Sequence, residues 1–348
     1  MSGGVDSSVV AGMLAEAGHE VIGVTLQLYD HRAATGRRGA CCAGQDIHDA
    51  RDVADRLGIP HYVIDAQARF QSAVIGDFAD SYAAGQTPVP CVRCNMSVKF
   101  TDLLGLARDL GAEAMATGHY VRRVEGAGGP ELHRATDPAR DQSWFLFATT
   151  RDQLAFSRFP LGDMPDKNVV RAHAARLGLM VAAKPDSQDI CFVPSGSYAD
   201  LVTRLRPDAA EAGEIVSRDG RVLGRHAGVA RYTVGQNKAL GTASFDAGER
   251  QAVLAVDAGR RRIVVGPRTA GSVQVRLREV NWLIDPPSAP LHCTVKLRAR
   301  EAPHPAMVEA TVHGARVSLD TPTLAAPGQA CVFYGGERVL GGGFIVRD

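Results

Sequence analysis

Over roughly the first 200 residues, strand-like apolar runs alternate with helices that stop at glycine, and this restricts the fold more than any other feature. Residues 7–17 (SSVVAGMLAEA) carry apolar side chains at helical spacing and run into Gly18, a suitable helix cap. Residues 21–28 (VIGVTLQL) form an unbroken apolar run, as in a strand buried on both faces of a parallel sheet. Residues 46–58 and 97–111 read as helices, and residues 61–65 (HYVID) and 112–118 (AEAMATG) as strands. The alternation predicts a doubly wound α/β domain. After about residue 205 the signal changes to short strands separated by turns, such as Asp219-Gly220 within EIVSRDGRVLG. Two small β-rich domains are therefore expected, with boundaries at 1–204, 205–270 and 271–348.

No apolar run reaches the ~18 residues of a membrane-spanning helix, and no basic-then-apolar leader opens the chain. These features predict a cytoplasmic protein without a membrane partner. An odd count of seven cysteines argues against a secreted disulfide framework. Net charge is only +1, but residues 205–348 carry 19 Lys and Arg against 14 Asp and Glu. A mildly basic C-terminal part is compatible with a polyanionic partner, and equally with a small excess spread over a solvated surface.

The stretch SGGVDSS at residues 2–8 precedes the first helix. Two glycines let backbone N–H groups approach an anion, and the helix adds its positive end. Ser2, Ser7 and Ser8 can donate to phosphate oxygens, and Asp6 can hold Mg2+ against the same phosphates. The loop lacks the lysine of a Walker loop.

The stretch TPVPCVRCN (87–95) places Cys91 and Cys94 just after Pro90, with a helix following. A thiol at a helix start has a stabilised thiolate and is reactive. The same spacing could be half of a zinc site, but two further ligands are needed and the adjacent pair Cys41 and Cys42 is poorly spaced for that. Cys191 stands in a third polar stretch, KPDSQDICF (184–192).

SGGVDSS resembles the phosphate loop of the PP-loop ATP pyrophosphatases, which have a Rossmann-like parallel sheet and adenylate a carbonyl oxygen with loss of pyrophosphate. With it, TPVPCVRCN, ATGHY (116–120), DPARDQSWFL (137–146), KPDSQDICF, HAGVARYTVGQNKALG (226–241), PGQACVFY (327–334) and LGGGFI (340–345) resemble, in order, the motifs of the tRNA-specific 2-thiouridylases. The resemblance covers essentially the whole chain. It implies two β domains after the catalytic one, the last a β-barrel. It also implies a strand ahead of SGGVDSS, so Met1 is expected to be an internal methionine of a longer natural chain, which would fold more stably.

The activity implied is ATP-dependent replacement of the wobble uridine 2-oxygen of tRNA by sulfur, with ATP and Mg2+ as cofactors. Cys191 matches the persulfide carrier and Cys94 the second catalytic cysteine, with a Cys94–Cys191 disulfide to be reduced after each turnover. Asp6 matches the Mg2+-holding residue; Ser2, Gly3, Gly4, Val5, Ser7, Ser8, Leu26 and Gly118 match the rest of the ATP site. The tRNA contacts implied are Val89, Pro90, Cys91, His119, Arg140, Asp141, Gln142, Arg298, Ala299 and Gln329. Val89 stands where the family usually has Asn, which removes a side-chain hydrogen bond there. The sulfur would come from a persulfide-donating relay protein or a cysteine desulfurase. Alternatively, Cys91, Cys94 and Cys191 would ligate a [4Fe-4S] cluster that takes free sulfide. Another PP-loop adenylating synthetase, and a non-catalytic tRNA-binding protein, are the competing readings.

Overall fold

The computed structural model describes residues 1–29, 42–186, 190–193, 197–240 and 251–347. The chain forms two compact units, one of Met1–Val74, Cys91–Ser195 and Glu337–Val339, the other of Ile75–Pro90, Gly196–Gly336 and Leu340–Asp348. Cys41 falls outside the described residues, as does the middle of KPDSQDICF at 187–189.

In the first unit, helix α1 (Val5–Glu16) begins at the glycine pair, with Gly4 as its N-cap, and ends before Gly18 at φ +83°. Strand β1 (Gly23–Gln27) follows, then helix α2 (Cys42–Leu57) and strand β2 (His61–Asp65). β1 and β2 pair in parallel from Gly23 opposite His61 to Gln27 opposite Asp65. A second parallel pair joins β3 (Met115–Ala116) to β6 (Ser157–Arg158), and between them in sequence lies an antiparallel hairpin, β4 (Val121–Gly126) and β5 (Gly129–Arg134). Helix α3 (Lys167–Arg176) is capped by Asp166, whose carboxylate accepts from the N–H groups of Asn168 and Val169. One core joins these pieces: Val5, Val9 and Val10 of α1 pack with Leu161, Val170 and Ala174. Burying that apolar area at roughly 25 cal/mol per Å2 is what fixes the first turn of α1, and so the glycine loop, in place.

Two expectations need correction here. The strand read at 112–118 shortens to two residues, Met115–Ala116. Thr117 N–H still donates to Arg158 O at 3.0 Å, and Gly118 then comes up against the first turn of α1. The helix read at 97–111 starts earlier, at Pro90, and runs through Pro90–Cys94, Asn95–Leu103 (wound as a π-helix) and Leu104–Asp109. Proline is favoured at a first helical position because its missing N–H has no partner there anyway.

In the second unit, β7 (Gly213–Ser217), β8 (Val222–His226), β9 (Gln251–Asp257) and β10 (Arg262–Pro267) make a four-stranded sheet in the order β8-β7-β10-β9. A closed six-stranded barrel follows: β11 (Ser272–Trp282), β12 (Leu291–Lys296), β13 (His304–Thr311), β14 (Gly314–Thr323), β15 (Ala330–Gly335) and β16 (Arg338–Ile345). Around it the order is β11-β14-β13-β12-β15-β16, and β11 pairs again with β16, Leu277 opposite Ile345. Val295, Val308, Val317 and Phe333 are fully buried inside it. Cys331 is also fully buried there, and its thiol is pushed well up by that burial, consistent with an inert core cysteine.

Candidate active site

The glycine loop is held from three directions. Ser2 N–H donates to Ser7 Oγ at 3.0 Å, and Ser8 Oγ donates to Gly4 O at 2.8 Å. Gly3 has φ +69°, and a Cβ on it would lie 2.2 Å from the Asp46 carbonyl oxygen of α2. Lys184 donates to Gly3 O at 2.8 Å and to Asp46 at 2.7 Å, and also to Asp49. Burial alone would lower Lys184, but its bonds to Asp46 and Asp49 outweigh that and hold its pKa above the usual lysine value. Gly118 closes the loop on the β3 side: a Cβ there would sit 2.8 Å from Ser7 N and 3.0 Å from Asp6. Gly118→Ala is therefore expected to displace the first turn of α1 and weaken ATP binding about tenfold or more. Nucleotide titration checks this, and unchanged affinity would mean Gly118 merely ends a strand. Leu26 lies in β1 opposite Ile64 and is half-buried.

Asp6 does not stand alone. Lys167 Nζ lies 2.7 and 2.8 Å from its two oxygens, and Tyr120 Oη donates to Asp6 Oδ1 at 2.6 Å. Lys167 also pairs with Asp186 Oδ1 at 2.8 Å, although its side chain is only 8% exposed. Arg140 Nη1 donates to the other oxygen of Asp186 at 2.6 Å, and Arg171 approaches the same carboxylate at 3.6 Å. Burial works to raise the Asp186 pKa, but Lys167 and Arg140 overcome it and hold the carboxyl below its usual value. Tyr120 N–H donates to Gln142 Oε1 at 2.9 Å. Asp141 accepts from Ala135 N–H, Ser143 N–H and Ser143 Oγ, which pins the 140–142 turn. Tyr120, Lys167, Asp186 and Lys184 are not among the residues singled out in the sequence. A lysine in a first helical turn opposes the helix dipole, which was the one available signal for Lys167.

Mg2+ fits Asp6 in kind, because a protein usually offers this ion one or two carboxylates beside the substrate phosphates. As arranged, Lys167 occupies both of those oxygens.

Cys91, Cys94 and Cys191 all belong to the first unit and are free thiols. Cys191 is exposed on a short stretch that is anchored at two points. Tyr29 Oη donates to Cys191 O at 2.5 Å, and Phe192 packs edge-on against buried Phe70 at 5.8 Å. Although the residue is exposed, crowding of its sulfur by the surrounding chain first, and then the Cys91 and Cys94 sulfurs, raise the Cys191 thiol above its ordinary value. Lys99 is the nearby cation that favours all three thiolates. The expected helix-start thiolate at Cys94 is not found. Cys94 is buried a full turn inside the helix, and burial raises its pKa despite Lys99. Among the described residues no three His, Cys, Asp or Glu side chains are arranged to hold a metal ion.

His119 Nδ1 lies 2.8 Å from Thr117 Oγ1, and the ring packs on Phe100 at 6.0 Å. Burial, then Lys99, lowers its pKa to about 3, so it is neutral at pH 7. A folded value below the unfolded one gives stability that is complete above about pH 6.5 and falls as pH drops toward 3. His119→Asn is expected to flatten the thermal midpoint between pH 6.5 and 5; an unchanged slope would place the acid sensitivity elsewhere.

Arg298, Ala299, Gln329, Val89 and Pro90 belong to the second unit. Arg298 and Gln329 line a cleft of about 300 Å3 with Thr87, Val234 and Gln236. Their side chains serve backbone carbonyls: Arg298 donates to Leu324 O at 3.1 Å, and Gln329 to Thr87 O at 3.0 Å. Ala299 O accepts from Lys296 Nζ, and Val89 and Pro90 are buried.

Three family descriptions match in order: a tRNA methyl transferase HUP domain over residues 1–195, a tRNA methyl transferase PRC-barrel domain over 200–267, and an aminomethyltransferase beta-barrel domain over 272–345. The tRNA-specific 2-thiouridylase MnmA of Acidiphilium cryptum is 73% identical over 99% of this chain and 98% of its own length. That of Gluconobacter oxydans is 65% identical over 99% and 97%, and that of Rhodospirillum centenum 61% over 100% and 90%. The chain belongs to the tRNA-specific 2-thiouridylase family. Its fold is accordingly a HUP-type PP-loop domain with a PRC-barrel and a C-terminal β-barrel behind it. Among the described residues no helix is long and apolar enough to cross a membrane.

Proposed function

We propose that this thiouridylase-family protein transfers sulfur to C2 of the wobble uridine of tRNA at the expense of ATP. The observation that carries the reading is the content of the first unit, where a phosphate-type glycine loop closed by Gly118 shares one compact body with three mutually influencing thiols. An amide-forming synthetase of the same superfamily would need the loop but not the thiols.

The residues divide the work as follows. Ser2, Gly3, Gly4, Val5, Ser7 and Ser8 cradle the phosphates, Leu26 and Gly118 flank the nucleotide, and Asp6 would hold Mg2+, which would supply positive charge to the departing pyrophosphate. The uridine C2 oxygen attacks the α-phosphorus, pyrophosphate leaves, and the oxygen becomes part of an AMP leaving group. The terminal sulfur of a Cys191 persulfide then attacks C2 and AMP departs. The Cys94 thiolate attacks the Cys191 sulfur, which frees the thiocarbonyl and leaves a Cys94–Cys191 disulfide for an external thiol to reduce. Desolvation disfavours the thiolate at both cysteines, so the reaction requires a proton to leave each. Arg140, Asp141, Gln142, His119, Val89, Pro90, Cys91, Arg298, Ala299 and Gln329 serve the tRNA, His119 as a neutral hydrogen-bonding ring. The sulfur source is a cysteine desulfurase or a relay protein carrying a persulfide, and the compartment is the cytoplasm.

The test is nucleoside mass spectrometry of unmodified tRNA incubated with enzyme, ATP, Mg2+ and a desulfurase with cysteine. Formation of 2-thiouridine with one AMP and one pyrophosphate per base supports the reading. Pyrophosphate exchange with a small carboxylate and no tRNA would overturn it. Thiolation by free sulfide, only after anaerobic iron reconstitution, would restore the cluster version.

A further inference from the structure

Asp186 has one oxygen on each of two functions. Its Oδ1 faces Lys167, whose ammonium also grips both oxygens of Asp6; its Oδ2 faces Arg140. A second arm joins the same ends, since Gln142 accepts from Tyr120 N–H and Tyr120 Oη donates to Asp6. The nucleotide loop and the 140–142 turn are thus two points on one closed ring of hydrogen bonds.

We propose that Asp186 is a positioning residue that couples nucleotide occupancy at Asp6 to capture of tRNA by Arg140. The inference rests on the reading of the protein as a tRNA thiolase. In the ring as it stands, Nη1 of Arg140 is bound to Asp186, which holds the guanidinium in one orientation and takes one of its amino groups from an RNA phosphate. When Asp6 takes up the cation of the nucleotide, it must release Lys167. Lys167 is buried, and the acceptor that remains beside it is Asp186. An Asp186 neutralised by Lys167 alone holds Arg140 less firmly, so Arg140 turns to RNA. Linkage makes the effect reciprocal: tRNA that draws Arg140 away leaves Asp186 to attract Lys167 off Asp6 and opens Asp6 to the nucleotide's cation.

The experiment measures tRNA affinity by filter binding, with and without Mg2+ and α,β-methylene-ATP, whose bridging carbon blocks pyrophosphate release. The wild type is expected to bind tRNA roughly tenfold more tightly with the analogue. Asp186→Asn should bind tRNA without nucleotide about as tightly as the saturated wild type, and its nucleotide effect should shrink to about twofold or less. Arg140→Gln should bind more weakly in both states and also lose the nucleotide effect. If Asp186→Asn gains affinity only by shedding a negative charge, the tenfold ratio survives and the coupling is overturned. A wild type that makes 2-thiouridine yet shows no ratio overturns the coupling alone. A wild type that neither binds nor thiolates tRNA overturns the functional reading with it. Should Asp186→Asn unfold early in a thermal scan, a nucleotide ratio retained in Arg140→Gln would still overturn the proposal.

Discussion

Cys191→Ser is expected to form no 2-thiouridine while still releasing pyrophosphate from ATP in the presence of tRNA. Activation and sulfur delivery use separate groups. Asp6, Gly118 and the serines proposed to serve adenylation are held by Lys167, Lys184 and the α1 core, and none of those contacts passes through the Cys191 sulfur. Phe192 and the Cys191 carbonyl, which anchor the stretch, are untouched by the substitution. Activation should therefore persist and sulfur delivery should vanish, a drop to background in the nucleoside spectrum. Cys94→Ser should stop one step later, with the tRNA left joined to Cys191 through a Cys191–S–S–C2 linkage that the intact mass reads and a reductant removes. Equal thiolation by either variant and the wild type would remove the persulfide route.

Lys167→Met should abolish pyrophosphate release itself. Among the described residues its ammonium is the one cation that bonds Asp6 and Asp186 together, and methionine leaves two half-buried carboxylates facing a thioether. Breaking a buried pair on one side costs about 3 kcal/mol or more. The thermal midpoint should therefore fall as well, and more at pH 7 than near pH 4. The sign follows from Asp186: its pKa is held down in the folded wild type, so the stabilisation is present above the ordinary aspartate value and fades as pH falls through the lowered one. Lys167→Arg keeps the charge and should recover most of the stability. If it also recovers pyrophosphate release in full, the site needs only a cation at that position. Wild-type pyrophosphate release by Lys167→Met would show that the bridge is structural.

Much of this was legible in the residues, for reasons that differ by region. Gly18, Gly58 and the apolar runs marked α1, α2, β1 and β2 because helix ends and buried parallel strands leave local signals. The loop was legible because glycine and serine at fixed spacing have few other uses before a helix. That this part is β-rich could be read from its turns and the barrel was implied by the resemblance alone, because closure by pairing β11 with β16 spans most of the domain and leaves no local signal. Lys167, Asp186 and Tyr120 were illegible as a set: each looks like an ordinary helix, loop or strand-end residue, and only folding brings position 6 against 120, 167 and 186. The thiol environment was misjudged for a related reason. A helix start lowers a thiol's pKa, but Pro90 moves that start upstream and burial then decides the sign at Cys94.

The barrel's closure has a consequence for biosynthesis. β11 emerges from the ribosome well before β16, its partner on one side, so until Arg338–Ile345 has been translated one flank of β11 carries unpaired N–H and C=O groups. β15 waits for the same strand. A nascent chain stalled before residue 338 therefore displays two open edges that can template misassembly with a neighbour on the same polysome. Release of the last strand seals both at once, so proteolytic clearance of stalled products should act on these edges while sparing finished chains.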